Sequence, residues 1–295
     1  MTAVTAVTAV TAVAAATTGL AVAAPQWRIS TDRRAAARTA LAAGSDLLHL
    51  DFGGAHRGPL LNEPAELRAA EAIAADIPVP VLAVNHVNDI GLADERGTAD
   101  PAALAVLERA LDCALRVGAQ VLHVPGFRRS LPRTERLRAG TADALRILGE
   151  RVAEAGLTLA YESPLGPRAS LALARAVDHP ALRLVLDTGN LEEAGEDPLA
   201  FAREVAAHGL LLPDLHVKDP APAHGPAPAH GPAPAAGGAA PPPGSAFHAL
   251  PALLRQCAVR SVLVENDYRQ APDRLREDVT LCRDAAGPSP YEDAR

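Results

Sequence analysis

The chain has 295 residues, a net charge of −7 and a pI near 5.8, with 48% hydrophobic residues and 3% aromatics. An acidic balance argues against a nucleic-acid binder, which ordinarily shows a basic stripe. The apolar content is enough for a sizeable core, but that core has to be built from Leu, Val and Ala rather than from aromatic rings.

Residues 2–13 repeat Thr-Ala-Val four times, and no Lys or Arg precedes Arg28. A secretory signal needs a basic start, so residues 1–18 read as a low-complexity, disordered leader. Beyond this start, no apolar run approaches the roughly 18 uninterrupted residues of a membrane span. The three cysteines, Cys113, Cys257 and Cys282, form no CxxC, which fits reduced thiols in a cytoplasmic protein.

The pattern then alternates. A first strand at 19–24 is followed by a helix capped by Thr31 or Asp32 and stopped by Gly44. A second strand, 46–51, precedes a helix at 63–74. A third, 79–84, ends at Asn85 and His86 and leads into a loop with Asn88, Asp89 and Asp94. Asp100 with Pro101 is a cap-then-proline helix start, and that helix runs to Val117. A fourth strand, 120–124, holds His123 and is followed by a helix at 133–155. Strand five, 157–161, leads to a helix at 170–177, and strand six, 182–186, to a helix that Asp197 and Pro198 start. Strand seven is expected at 210–215, a helix at 246–256, strand eight at 261–264 and a last helix at 271–282.

Eight strand–helix alternations imply parallel pairing with right-handed crossovers, and hence a single-domain (β/α)8 TIM barrel over 19–283 with its chemistry at the strand C-terminal ends. An open doubly wound sheet is the competitor, but no GxGxxG follows the first strand. Residues 220–243 are almost wholly Pro, Ala and Gly. They read as a flexible insertion after strand seven, because such a segment buries no core. Residues 284–295 read as a loose tail.

Four segments end in polar groups that bind metals: LTLAYES in Glu162, RLVLDTGN in Asp187, LLLPDLHVKD in His216 and SVLVENDY in Glu265. Their separations are 25, 29 and 49 positions, and the 24-residue insertion accounts for the long one. They therefore recur once per strand–helix unit, as successive strands five to eight require. Ends of adjacent strands lie about 5 Å apart, so the four ring one side of the barrel mouth. Three carboxylates and an imidazole suit Mn²⁺, Mg²⁺ or Co²⁺, with Zn²⁺ a poorer match. The competing reading is that each acid caps the next helix or pairs with an arginine.

Two glutamates facing each other across such an ion point to proton transfer beside a carbonyl. The ion acidifies the C–H and stabilises the enediolate, while one of Glu162 and Glu265 takes the proton and the other returns it. The implied partner is a small sugar or polyol, not nucleic acid or membrane; homo-oligomer formation stays open.

The four motifs together resemble the xylose isomerase-like TIM barrel superfamily, in its branch of sugar-phosphate isomerases and epimerases that also holds ketose 3-epimerases, hydroxypyruvate isomerase and inosose dehydratase. That likeness implies that Glu162, Asp187, His216 and Glu265 are the metal ligands. Many members of the family carry His three residues after the Asp, where this chain has Asn190. The family's Gly-Glu-Gly-type loop is replaced by the Pro/Ala/Gly insertion. An inosose dehydratase-like lyase and a non-catalytic sugar-binding barrel are alternatives. A phosphodiesterase of the AP endonuclease family 2 type needs more ligands and a basic groove.

Further candidates have competing readings. Lys218 shares a strand face with His216 and either holds a substrate oxygen or pairs with Asp219 or another neighbour. His123 is a pocket residue or a satisfied core histidine. One of Asn85 and His86 lines the pocket, Asp51 belongs to the rim and His49 packs inside the barrel. Trp27, the single tryptophan, stacks on a sugar face or packs in the core. The basic run Arg128, Arg129, Arg133, Arg136 and Arg138 is a solvated loop and helix start, or else faces an anionic substrate.

Overall fold

In the computed structural model, residues 19–219 and 245–287 are described. The leader 1–18, the insertion 220–243 and residues 288–295 of the tail lie outside them. Eight parallel strands pair in the order β6-β5-β4-β3-β2-β1-β8-β7. They are β1 Ala21–Pro25, β2 Leu47–Asp51, β3 Val81–Ala83, β4 Val121–Pro125, β5 Thr158–Glu162, β6 Leu182–Leu184, β7 Asp214–Val217 and β8 Ser261–Val264. The ends of that sheet meet. Leu184 N–H donates to Leu210 O (2.7 Å), and His216 N–H to Leu186 O (2.9 Å), with parallel bridges at Leu184–Leu211 and Asp187–His216. The sheet is a closed (β/α)8 barrel, as the alternation predicts.

The outer helices are α1 Arg33–Ala43, α2 Pro64–Asp76, α3 Pro101–Val117, α4 Glu135–Glu154, α5 Pro167–Val177, α6 Pro198–Ala207, α7 Leu250–Gln256 and α8 Pro272–Ala286. Their starts follow local chemistry. Asp32 accepts from Ala35 N–H, Asp100 from Ala102 and Ala103 N–H, and Asp197 from Leu199 N–H, so each satisfies donors that a helix N-terminus leaves bare. Gly44 and Gly118 end α1 and α3 with φ of 84° and 74°, a left-handed cap that a β-carbon would strain.

The main core lies between strands and helices. Two small apolar clusters are separate from it: Ala23, Leu47 and Leu263, and Ala160, Val185 and Leu212. These are the inward-facing residues of the barrel floor. Side chains on a strand repeat every second residue. The layer above the floor is therefore Glu162 after Ala160, Asp187 after Val185, Glu265 after Leu263, and Asp214 then His216 after Leu212. The polar mouth is the continuation of an apolar floor.

Several expected boundaries shift. β7 begins at Asp214, not at residue 210, because Pro213 has no N–H for the ladder and the apolar run before it only bridges to β6. Helix α5 starts a turn early on Pro167, and α8 reaches Ala286, inside the expected tail. Short helices at Val87–Ile90 and Thr188–Glu193 occupy what read as loops. Asp51 is no rim residue: it is fully buried, and its Oδ1 accepts from Asn85 N–H at 3.1 Å. The three cysteines are free thiols.

One buried carboxyl supports the β8 end. Asp278 Oδ2 on α8 accepts from Asn266 Nδ2 and Tyr268 OH, both at 2.8 Å. Burial raises the Asp278 carboxyl to about 6. A carboxyl whose folded pKa is raised stabilises most below its unfolded pKa, and that contribution fades as pH rises through the folded value. Wild type should therefore lose stability relative to Asp278→Asn between about pH 4 and pH 6, by up to roughly 3 kcal/mol. Urea unfolding of both proteins across this range measures the difference, and a constant gap sinks the prediction.

Candidate metal-type active site

Glu162 is the last residue of β5, and Glu265 directly follows β8. His216 sits inside β7, and Asp187 stands three residues past β6, where it caps the helix Thr188–Glu193. One ligand atom from each of these four lies within 4.8 Å of all the others, and all four residues are buried. His216 Nδ1 is 3.3 Å from Glu162 Oε2 and 3.6 Å from Glu265 Oε2. The capping reading holds for Asp187, and the cap uses only one of its two carboxylate oxygens. Its Oδ1 accepts Asn190 N–H at 2.7 Å, while Oδ2 is buried without a hydrogen bond.

The remaining contacts fix the cluster. Glu162 Oε2 lies 2.9 Å from His123 Nε2, and Glu162 Oε1 accepts Asn190 Nδ2 at 2.5 Å. Asn190 Oδ1 in turn accepts from Lys218 Nζ at 2.6 Å, and the same ammonium is 3.5 Å from Asp187 Oδ2. The Lys218 stem crosses Gly189 so closely that a β-carbon there would meet Lys218 Cγ at 2.6 Å. Glu265 Oε1 accepts from the Trp27 indole N–H at 3.0 Å and from Arg28 Nε at 3.4 Å.

Electrostatics follow from this crowding. Burial raises the Asp187 carboxyl to about 7, the nearby charges of Glu162 and Glu265 pushing the same way against Lys218. Burial works against charge on Glu162 and Glu265 too. The His123 and His216 imidazoles close beside it overcome this for Glu162, and Lys218, His216 and Arg28 overcome it for Glu265, so both stay well below the usual carboxylate range. Burial opposes a proton on His216, and the two glutamates prevail and raise it well above the ordinary histidine value. A proton on His216 and the Lys218 ammonium thus serve as cations for a set rich in negative charge. An Asp187 oxygen and a His216 nitrogen, buried and without a hydrogen bond, fit a divalent ion that these side chains would grip.

One layer down, His49 Nε2 lies 3.4 Å from Asp214 Oδ2, and Asp214 Oδ1 accepts Ser261 Oγ–H at 2.7 Å. Burial, with His216 and His123 alongside, keeps His49 well below its ordinary value, in agreement with an inward-packed histidine.

A cavity of about 260 Å³ opens above the cluster, lined among others by Trp27, Asn85, His123, Asn190 and Lys218. His86 is absent from that lining; it packs on Gly54 and lies 3.7 Å from Asp89 Oδ2. Trp27 hydrogen-bonds Glu265 from the short helix after β1. Lys218 pairs with Asp187 instead of Asp219, which is taken by Arg274 and Ser245. Sequence reasoning missed Arg28, Arg57, Asn88 and Phe127 as lining residues, and placed Arg128 only in a basic run. All five stand outside the strands, where no periodicity marks them.

The model of the xylose isomerase-like TIM barrel family matches residues 37–276. The chain is 36% identical over 265 residues to the 2-epi-5-epi-valiolone 7-phosphate 2-epimerase of Actinoplanes sp., covering 88% of this chain and 93% of that protein. Among solved structures, the 3-keto-D-glucoside 4-epimerase of E. coli superposes with a TM-score of 0.61 at 17% identity, covering 90% of this chain and 99% of that one. A xylose isomerase-like TIM barrel protein of Mycobacterium smegmatis in complex with magnesium gives 0.60 at 15%, covering 91% and 98%. At such identities these two likenesses speak for the fold alone. With the family model spanning most of the barrel, the chain belongs to the xylose isomerase-like TIM barrel family.

Proposed function

We propose that this protein is a divalent-metal-dependent isomerase or epimerase of a small sugar or polyol derivative. The observation that carries the reading is the convergence of Glu162, Asp187, His216 and Glu265 within 4.8 Å in a buried mouth. The epimerase of Actinoplanes, similar along nearly its whole length, supports it and extends the substrate class to a phosphorylated cyclitol. Mn²⁺, Mg²⁺ or Co²⁺ is the ion that the donor set suits best, held by the same four residues.

A bound divalent ion supplies polarisation of a substrate carbonyl and stabilises the negative charge that builds as the neighbouring C–H is lost. The chain's own residues do the rest. Glu162 and Glu265 approach from β5 and β8, with β6 and β7 between them, so they flank the substrate from two sides. One removes the proton and the other returns it. Both are held ionised by their neighbours, so either is free of a proton when the substrate arrives, although the same neighbours weaken it as a base. Asn190 ties Lys218 to Glu162 and fixes the carboxylate's rotation. Lys218 keeps a positive charge beside Asp187 and faces the same cavity, where it is placed to hold a substrate oxygen. Trp27 and His123 steady the two glutamates.

Two measurements test this. Glu162→Gln and Glu265→Gln, assayed on a panel of phosphorylated and free keto-sugars and keto-cyclitols, should each lose about 10²- to 10⁴-fold in turnover and in deuterium uptake from D₂O beside the carbonyl. Full activity in either variant removes it from proton transfer, and a dehydrated product in wild type turns the reading to a lyase. Because Trp27 is the single tryptophan and bonds Glu265, Mn²⁺ should quench the protein's indole fluorescence. Asp187→Ala should weaken that quenching response by at least about 100-fold in Mn²⁺ concentration, the upper range for losing a mere support of a ligand. An unchanged titration overturns the ligand set.

A further inference from the structure

Opposite the carboxylate-rich half of the mouth stands a group of the other sign. Arg57 belongs to the turn after β2, Asp89 to the short helix after β3 and Arg128 to the turn after β4. Arg57 grips Asp89 with both terminal nitrogens, at 2.5 Å and 3.1 Å, and Arg128 Nη1 reaches the same carboxylate at 3.0 Å. Two guanidinium groups share one carboxylate, so the group carries a net positive charge. In a closed eight-stranded barrel β3 and β7 face each other, which sets this group across from His216. Arg57 and Arg128 nevertheless line the same cavity as Glu162, Glu265 and Lys218.

The two arginines are held differently. The Arg57 side chain is 15% exposed and the Arg128 side chain 70%. Arg128 has a φ of +49°, a left-handed conformation that strains a non-glycine residue and persists only where its surroundings impose it. Here it turns the side chain back over the mouth. Nearby, Asn88 Oδ1 accepts Phe127 N–H at 2.8 Å and ties the turn after β4 to the helix after β3. The arrangement is a fixed fork, a loose fork and a carboxylate between them.

We propose that Arg57 and Arg128 are the site for the phosphate group of the substrate, with Asp89 holding their place until the phosphate arrives. This rests on the reading of the cavity as a sugar- or cyclitol-converting site. A guanidinium presents paired N–H groups that match phosphate oxygens, and a phosphate offers more acceptors and more charge than one carboxylate. Phosphate takes Arg128 from Asp89, while Arg57 stays bridged between the two anions. The reacting end of the substrate then lies across the mouth at Glu162 and Glu265, and the phosphate sets its direction.

The test is inorganic phosphate titrated into the metal-free full chain at constant ionic strength, followed by calorimetry, with Mn²⁺ quenching of Trp27 measured on the same preparations. Arg128→Ala, an exposed position, should weaken phosphate binding about tenfold, the order of one charge-assisted contact. Asp89→Asn should tighten it by a similar factor, because the competing charge is gone; a purely structural role for the ion pairs gives no gain. Phosphate affinity unchanged in Arg128→Ala, or reduced in Asp89→Asn, overturns the site. Mn²⁺ quenching retained in both variants alongside such a failure leaves the metal reading intact. The expected phosphate pattern without Mn²⁺ quenching in wild type supports this site and overturns the metal reading instead.

Discussion

Three carboxylates buried around one imidazole set the terms for the rest of the molecule. Negative charges taken out of water at this spacing repel strongly and lose their hydration. The fold offsets part of the cost with the Lys218 ammonium, 3.5 Å from Asp187, and with hydrogen bonds from Asn190, Trp27 and Arg28. His216 completes the balance by holding a proton between Glu162 and Glu265. A divalent ion occupying that point would replace the proton with twice its charge, so the cluster is built around a place for a cation.

The residues that create this demand also close the barrel. β6 and β7 share no continuous ladder; they meet through the Leu184–Leu211 and Asp187–His216 bridges and through His216 N–H on Leu186 O. Joining the last two strands and bringing Asp187 beside His216 are one event. A slip of one residue in either strand would turn its inward side chain toward the helices, where a charged group has no partner. Register and chemistry are therefore specified by the same contacts, and the apolar floor of Ala160, Val185, Leu212 and Leu263 supplies the inward face that sets the alternation.

What was legible in the sequence follows from the same logic. Glu162, Asp187, His216 and Glu265 each stand at a fixed place on an apolar run, and the helices announce themselves through Asp32, Asp100 and Asp197, so strand count, order and the four-residue cluster could be read by period and cap. The start of β7 could not: Leu210–Leu212 look more like a strand than DLHV does, because a buried Asp214 contradicts strand propensity and is tolerated only through Ser261 and His49. Arg57, Asn88, Phe127 and Arg128 were hidden for another reason. They meet at the mouth only because β2, β3 and β4 are adjacent, and nothing local in a turn records which turns will be its neighbours.

Asn190 shows how one neutral side chain can serve two charged ones. Its amide donates to Glu162 and accepts from Lys218 at once. Its orientation is forced, since the reverse would set a carbonyl oxygen against a carboxylate and an N–H₂ against an ammonium. An amide does not titrate, so this link between Lys218 and Glu162 stays the same across the working pH range. The two glutamates are then inequivalent. His216 stands by both; beyond it Glu162 has a neutral amide and the His123 imidazole, Glu265 an indole and a permanently charged guanidinium. If the two carboxylates serve as the proposed pair of bases, this difference lets each meet the substrate from its own side, with Arg28 beside one and Asn190 beside the other.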